Sequence, residues 1–243
     1  MKVSTLSVFL AVFLLLPGFA ISGEENTMDK KHALSQRQQC IVPIAAFTAD
    51  GDLDRLKPAL SKGLDAGLTI NEINEILAHL YAYVGFPRSL NGLHTFIGVV
   101  DERKAKGMKD VQGKEASPVP VDMNKDEYGA KVRAKLAGLE QDISGARWQT
   151  FAPIFDVFLK EHLFADLFAR DVISHQDREL TTIAALANLK GAEGQLAFHL
   201  GAAMNNGLTE GQMKGFIAVL ETEVGKAQAD SARNILTAVL EKR

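Results

Sequence analysis

The chain has 243 residues, 47% hydrophobic and 23% charged, a balance that suits one or two globular domains with a substantial core. Its formal net charge of −3, spread without a basic patch or an acidic block, excludes a nucleic-acid-binding face built on charge and an acidic disordered chain. A single cysteine, Cys40, excludes an intramolecular disulfide and a CxxC redox pair.

Residues 1–22, MKVSTLSVFLAVFLLLPGFAIS, read as a secretory signal peptide. Lys2 precedes an apolar run centred on 8–16, and Ala20 and Ser22 occupy the −3 and −1 positions of a cut before Gly23. Pro17 and Gly18 end the run short of a comfortable membrane span, which disfavours an uncleaved anchor. No cysteine follows, so there is no lipoprotein site. The expected protein is exported, periplasmic or secreted, with no stable membrane association after cleavage. Residues 23–34 are expected to be a flexible tail.

The next stretch, 35–105, reads as helix, turn, helix, turn, helix. It opens with a capping box, Ser35-Gln-Arg-Gln38, and carries Cys40 among apolar neighbours, where a small buried side chain is expected. Gly67 suits a left-handed helix stop, and Thr69-Ile-Asn-Glu72 opens the following helix with Ile73, Ile76, Leu77 and Leu80 at helical spacing. Gly85-Phe86-Pro87 is expected to bend the backbone. Pro118 and Pro120, amid charges, mark a linker over 106–126. Beyond it, 127–243 is helical again. Phe151, Ile154, Phe155 and Phe158 form one apolar stripe and Phe164, Leu167 and Phe168 another, both expected to pack in the core. No segment alternates with period two, so the fold is expected to be all-α.

The second half repeats the first. Shifted by 140 residues, LDRLKPALSKGLDAGLTINEINEILAHLYAYVG (53–85) lies without a gap over EGQLAFHLGAAMNNGLTEGQMKGFIAVLETEVG (193–225). Leu56, Leu60, Gly67, Leu68, Thr69 and Gly85 fall on Leu196, Leu200, Gly207, Leu208, Thr209 and Gly225. The copies differ in what they keep. Copy two has Arg178, Glu179 and His199 where copy one has Gln38, Gln39 and Ala59. Copy one has Tyr81, Tyr83 and Arg88 where copy two has Glu221, Glu223 and Gln228. The complementary sets suggest one composite site; independent decay of both copies is the alternative.

Both copies resemble the carboxymuconolactone decarboxylase family, a distant cousin of alkyl hydroperoxidase D. The resemblance rests on GAKVRAKLAGLE and DRELTTIAALANLKGAEGQLAFHLGAAMNNGLT in copy two and LTINEINEILAHLYAYVGFPRSLNGL in copy one, and covers most of residues 35–240. It implies two tandem helical repeats and a homo-oligomer, with three such chains completing the ring that single-repeat chains build from more. It also places the family's histidine at His199. In the hydroperoxidase branch that histidine and a glutamate form a proton relay ending in a cysteine pair. Here the positions four and seven residues before His199 are Gln195 and Ala192, so two-cysteine peroxidase chemistry is not expected.

His199 lies on the apolar face of its helix, where a satisfied core histidine is the plainer reading. Glu179, one helix earlier, could orient its ring, and Gln195 lies one turn back. A histidine tuned by burial and a carboxylate can move a proton to or from carbon. Decarboxylating a lactone acid also requires a held carboxylate and a stabilised dienolate. Arg88 or Arg178 could hold the carboxylate, and Tyr81 or Tyr83 could donate to the lactone oxygen. The tyrosines are two apart and face different ways, so at most one lines a given pocket. For Arg178, in the first helical turn, a surface residue or an intersubunit ion-pair partner is the plainer reading. Glu75, His79 and Tyr83 share an i, i+4 row, too few ligands for a metal and expected to be an exposed ion pair. The expected function is that of a carboxymuconolactone decarboxylase-like lyase acting on a small organic acid or lactone, with no metal and no cofactor. The alternatives are a catalytically silent binding or assembly protein of the same fold and a thiol-dependent antioxidant using Cys40.

Overall fold

One serine and two threonines set where three of the helices begin. Ser35, Thr69 and Thr209 each accept from the backbone amide three residues on, while Gln38, Glu72 and Gln212 reach back to the cap amide, closing three capping boxes. The computed structural model describes residues 33–243; the expected signal peptide, 1–22, and residues 23–32 of the tail lie outside the described residues. The helices are α1 Gln36–Asp50, α2 Leu53–Asp65, α3 Ile70–Ala105, α4 Lys125–Ala137, α5 Arg147–Phe151, α6 Pro153–Val157, α7 His175–Leu186, α8 Glu193–Asn205, α9 Glu210–Val219 and α10 Lys226–Leu240. Two π-helical segments, Phe158–Leu167 and Leu220–Val224, extend α6 and α9. No strand occurs among the described residues, so the fold is all-α.

The duplication is visible element by element. The 140-residue shift lays α1 on α7 and α2 on α8. The first half of α3 falls on α9 with its π segment, and the second half on α10. Gly67 and Gly207 stand just past α2 and α8 at φ 90° and 97°, a conformation that favours glycine. In both copies the next amide then reaches back five residues, Leu68 to Gly63 and Leu208 to Ala203. Inside α3, Gly85 takes φ 76° and ψ 160° and kinks the helix, so residues 86–105 leave at a new angle.

Helices α1 and α7 pack on each other; α2 and α3 pack on α1, α3 also on α7, α8 on α7, and α10 on α8. One apolar core therefore joins both copies, with Ile41, Leu56, Ile76 and Leu80 from the first and Leu180, Leu200 and Phe216 from the second. Cys40 is buried in it. A smaller core binds α4 to the first π segment through Val132, Leu136, Phe164 and Phe168. Between Ala105 and Lys125 the chain has no helix, but it is tied down. Val111 and Gln112 carbonyls accept from Ile70 and Asn71, and Arg103 is held by Asp110 and Asp65. No helix among the described residues is long and apolar enough to cross a membrane.

Two expectations are corrected. The stripe Phe151, Ile154, Phe155 and Phe158 is not core: these side chains are 87%, 53%, 62% and 61% exposed. Helical spacing aligns them only in a continuous helix. The backbone breaks at Ala152, with φ −137° and ψ 74°, and resumes as a short helix and a π turn that packs on α4 from Leu159 onward, which leaves the stripe outside. The second stripe, Phe164, Leu167 and Phe168, is buried. Nor is the Glu75–His79–Tyr83 row an exposed ion pair. Glu75 and His79 are buried, because α7 lies across that face of α3.

Candidate active site

Helix α7 is buried from Asp177 through Leu186, yet its first turns hold three charged residues in succession. Buried charges need partners, and three different elements supply them. Asp177 accepts from Arg37 and Gln38 on α1. Arg178 donates to Glu75 on α3 at 2.6 Å. Glu179 meets His199 on α8, with Nδ1 2.8 Å from Oε2.

Glu179 is fully buried and His199 is 6% exposed, so this contact is made away from bulk water. Beside an ionised Glu179, Nδ1 carries the proton and donates, which leaves the lone pair on Nε2. The other Glu179 oxygen, Oε1, is buried without a partner. Tyr83 of α3 packs edge-on against the imidazole, with ring centroids 5.5 Å apart at 79°, and Phe198, its chain neighbour on α8, does the same at 5.1 Å and 87°. The Tyr83 hydroxyl is also buried, near Thr182 but without a well-formed hydrogen bond to it. Burial, reinforced by the negative charge of Glu179, pushes its pKa well above the ordinary range for a phenol, so it stays protonated and able to donate. The imidazole and its carboxylate from copy two thus lie against a phenol from copy one, with one acceptor and one donor left unpaired.

Next to this group is an ion-pair cluster. Glu75 is held by Arg178 on one side and by Arg170, at 3.0 Å to each oxygen, on the other. Arg178 also donates to the Arg170 carbonyl at 2.5 Å. His79 lies between the cluster and Tyr83. Its Nε2 is 2.9 Å from the Thr182 hydroxyl, and its Nδ1 is 3.5 Å from Arg178 Nη1. Thr182 already donates to the Arg178 carbonyl, so its oxygen accepts from Nε2–H, and the Nδ1 lone pair faces the guanidinium. Desolvation, then the charge of Arg178, push the His79 pKa well below the usual value; the ring is neutral.

The structure brings His199, Glu179 and Tyr83 together and places the other candidates elsewhere. Arg178 is fully buried and pairs with Glu75 through Nη2, while its Nε–H has no hydrogen-bond partner. Arg88 is exposed beyond the Gly85 kink and lines a cleft of about 660 Å³ with Asp50, Lys190, Glu193 and Gln228. Tyr81 stacks on Phe86 with centroids 4.5 Å apart and lies 5.6 Å from the His162 ring. Gln195 is exposed in the first turn of α8, although Leu196 beside it is buried in the core. The sequence reading missed Thr182 and the burial of Glu75 and His79. A signal was present, since the 140-residue shift puts Gly215 and Val219, an apolar pair, on Glu75 and His79.

Comparison with known proteins agrees with the repeat and its register. The sequence profile described as "Carboxymuconolactone decarboxylase family" matches twice, over residues 22–96 and 155–238. The chain is similar to the 4-carboxymuconolactone decarboxylase of Acinetobacter baylyi, 27% identical over 116 residues that span 47% of this chain and 85% of that protein.

Proposed function

The chain belongs to the carboxymuconolactone decarboxylase family, and on that premise we propose that it is an exported lyase that performs acid–base chemistry on a small organic acid or lactone. The observation that carries this reading is the Glu179–His199 contact beside the Tyr83 hydroxyl. In a decarboxylation the C–C bond to the carboxylate breaks, CO2 leaves, and the electron pair enters a dienolate. Tyr83, held protonated, donates to the enolate oxygen. His199, held by Glu179, takes the proton of the substrate's carboxyl group on its free Nε2 before the step and returns it to carbon afterwards. Its own residues suffice for these transfers, so the reading needs no metal or organic cofactor. Arg178 serves this site by fixing α7 against α3 rather than by holding substrate.

A buried His–Glu pair is also what a silent binding protein of this fold would keep, and that is the second reading. A thiol mechanism is less favoured. Cys40 is 5% exposed, and burial raises its pKa and disfavours the thiolate. Export predicts a mature chain beginning at Gly23, read by N-terminal sequencing of extracytoplasmic protein. Catalysis is tested by CO2 release from carboxylated unsaturated lactones with wild type and His199→Ala. We expect a loss of at least about 100-fold in the variant. Equal rates, or none in either, support the binding reading.

A further inference from the structure

Three smaller clefts on the molecule show how the chain treats cations. Every lysine or arginine that lines one of them is paired with a carboxylate, as Lys62 is with Glu223, Arg170 with Glu75 and Arg233 with Glu221. The cleft of about 660 Å³ that Arg88 lines is different. Among the described residues Arg88 and Lys190 have no ion-pair partner, although Asp50 and Glu193 line the same cleft. Asp50 has none either, and Glu193 accepts from the backbone amide of Gly191, at 3.2 Å. Four charges of both signs face one cleft without pairing.

The duplication explains where this cleft lies. The 140-residue shift lays Asp50 on Lys190 and Arg88 on Gln228, and all four line it. The two copies therefore meet their own equivalents there, and strict symmetry would set like charge against like. The copies have diverged instead, to acid against base at one pair and cation against amide at the other. Helix ends add to both signs. Helix α1 ends at Asp50 and α7 at Leu186, neither with a basic residue in its last turn. Helix α10 enters with Ala227 and Gln228, without a side-chain cap and without an acidic residue in its first turn. Negative and positive helix poles are both left for a ligand to meet. Leu186, Leu189 and Leu196 supply apolar wall, and the volume is that of a small-molecule site.

A simple acid would suit Arg88 and Lys190 but bring its carboxylate towards Asp50 and Glu193, and a simple amine would do the reverse. We propose that the cleft binds a small zwitterion, an amine and a carboxylate on one apolar skeleton, with the carboxylate at Arg88 and the start of α10 and the ammonium at Asp50 and the end of α1. The inference stands apart from the catalytic reading: none of His199, Glu179 and Tyr83 lines this cleft, and binding is measured without turnover. The test is isothermal titration calorimetry of the full chain, purified as the host processes it, with L-leucine and with 5-aminopentanoate, zwitterions whose charges lie close together and far apart. The controls are the same skeletons without the amine, 4-methylpentanoate and pentanoate, and without the carboxylate, 3-methylbutylamine and butylamine. We expect a zwitterion to bind once per chain and its controls to bind at least about tenfold more weakly. Arg88→Gln and Asp50→Asn should each weaken the zwitterion by a similar factor with unchanged helical circular dichroism, because both side chains are exposed and hold nothing in the fold. Heat from neither zwitterion, a control that binds as well as its parent, or an affinity that survives both substitutions would each overturn the proposal.

Discussion

At the scale of single residues, the unpaired atoms are the most informative. A buried hydroxyl without a partner costs about 1–3 kcal/mol, and Tyr83 carries one beside the unpaired Oε1 of Glu179. Tyr83→Phe removes the hydroxyl and keeps the ring packed on His79 and His199. We expect it to raise stability by about 1 kcal/mol in denaturant titration while lowering turnover; a loss of stability would mean that the hydroxyl is satisfied. Glu75→Gln strands Arg178 and Arg170 and should cost about 3–5 kcal/mol by the same measurement. His79 gives the pH dependence. Its pKa in the fold lies well below the unfolded value of about 6.5, so the unfolded chain binds more protons as the pH drops. The resulting stability is fully present above about pH 6.5 and is lost progressively below it. His79→Gln should therefore show a smaller drop in urea midpoint between pH 7.5 and pH 5.5 than wild type, and equal drops would show that the imidazole is protonated in the fold.

At the scale of elements, the chain announces its helix ends and conceals their covering. The boxes at Ser35, Thr69 and Thr209 and the stops at Gly67 and Gly207 are local chemistry, written in a few adjacent residues. Thr69→Ala and Thr209→Ala should each cost about 1 kcal/mol and, lying in different copies, should add within a few tenths of a kcal/mol in thermal or urea unfolding. Burial is not local. The phenylalanine stripe beyond Trp148 has core spacing, but the break at Ala152 splits its helix and leaves it outside. Glu75 and His79 look like surface residues until α7 is laid across them. Arg178 had the right charge for a substrate anchor, and only the three-dimensional pairing with Glu75 shows that its charge is already used.

At the scale of the whole molecule, the repeat was legible because a gapless 140-residue shift is a property of the string itself; the helical class came from helical spacing without period-two alternation, and the approach of Glu179 to His199 from Glu179 lying one helix earlier. The single core that spans both copies was less legible, because nothing in the string says whether two repeats fold apart or together. With α1 packed on α7 and α3 on both, the copies share their central contacts, and the account's central claim is that the proton-handling group is shared in the same way. The most direct test is a double-mutant cycle on kcat/KM for a carboxylated unsaturated lactone, using His199→Gln from copy two and Tyr83→Phe from copy one. We predict coupling, with the double variant falling well short of the product of the two single losses. Strictly multiplicative losses, or a Tyr83→Phe enzyme as fast as wild type, would contradict a site built from both copies.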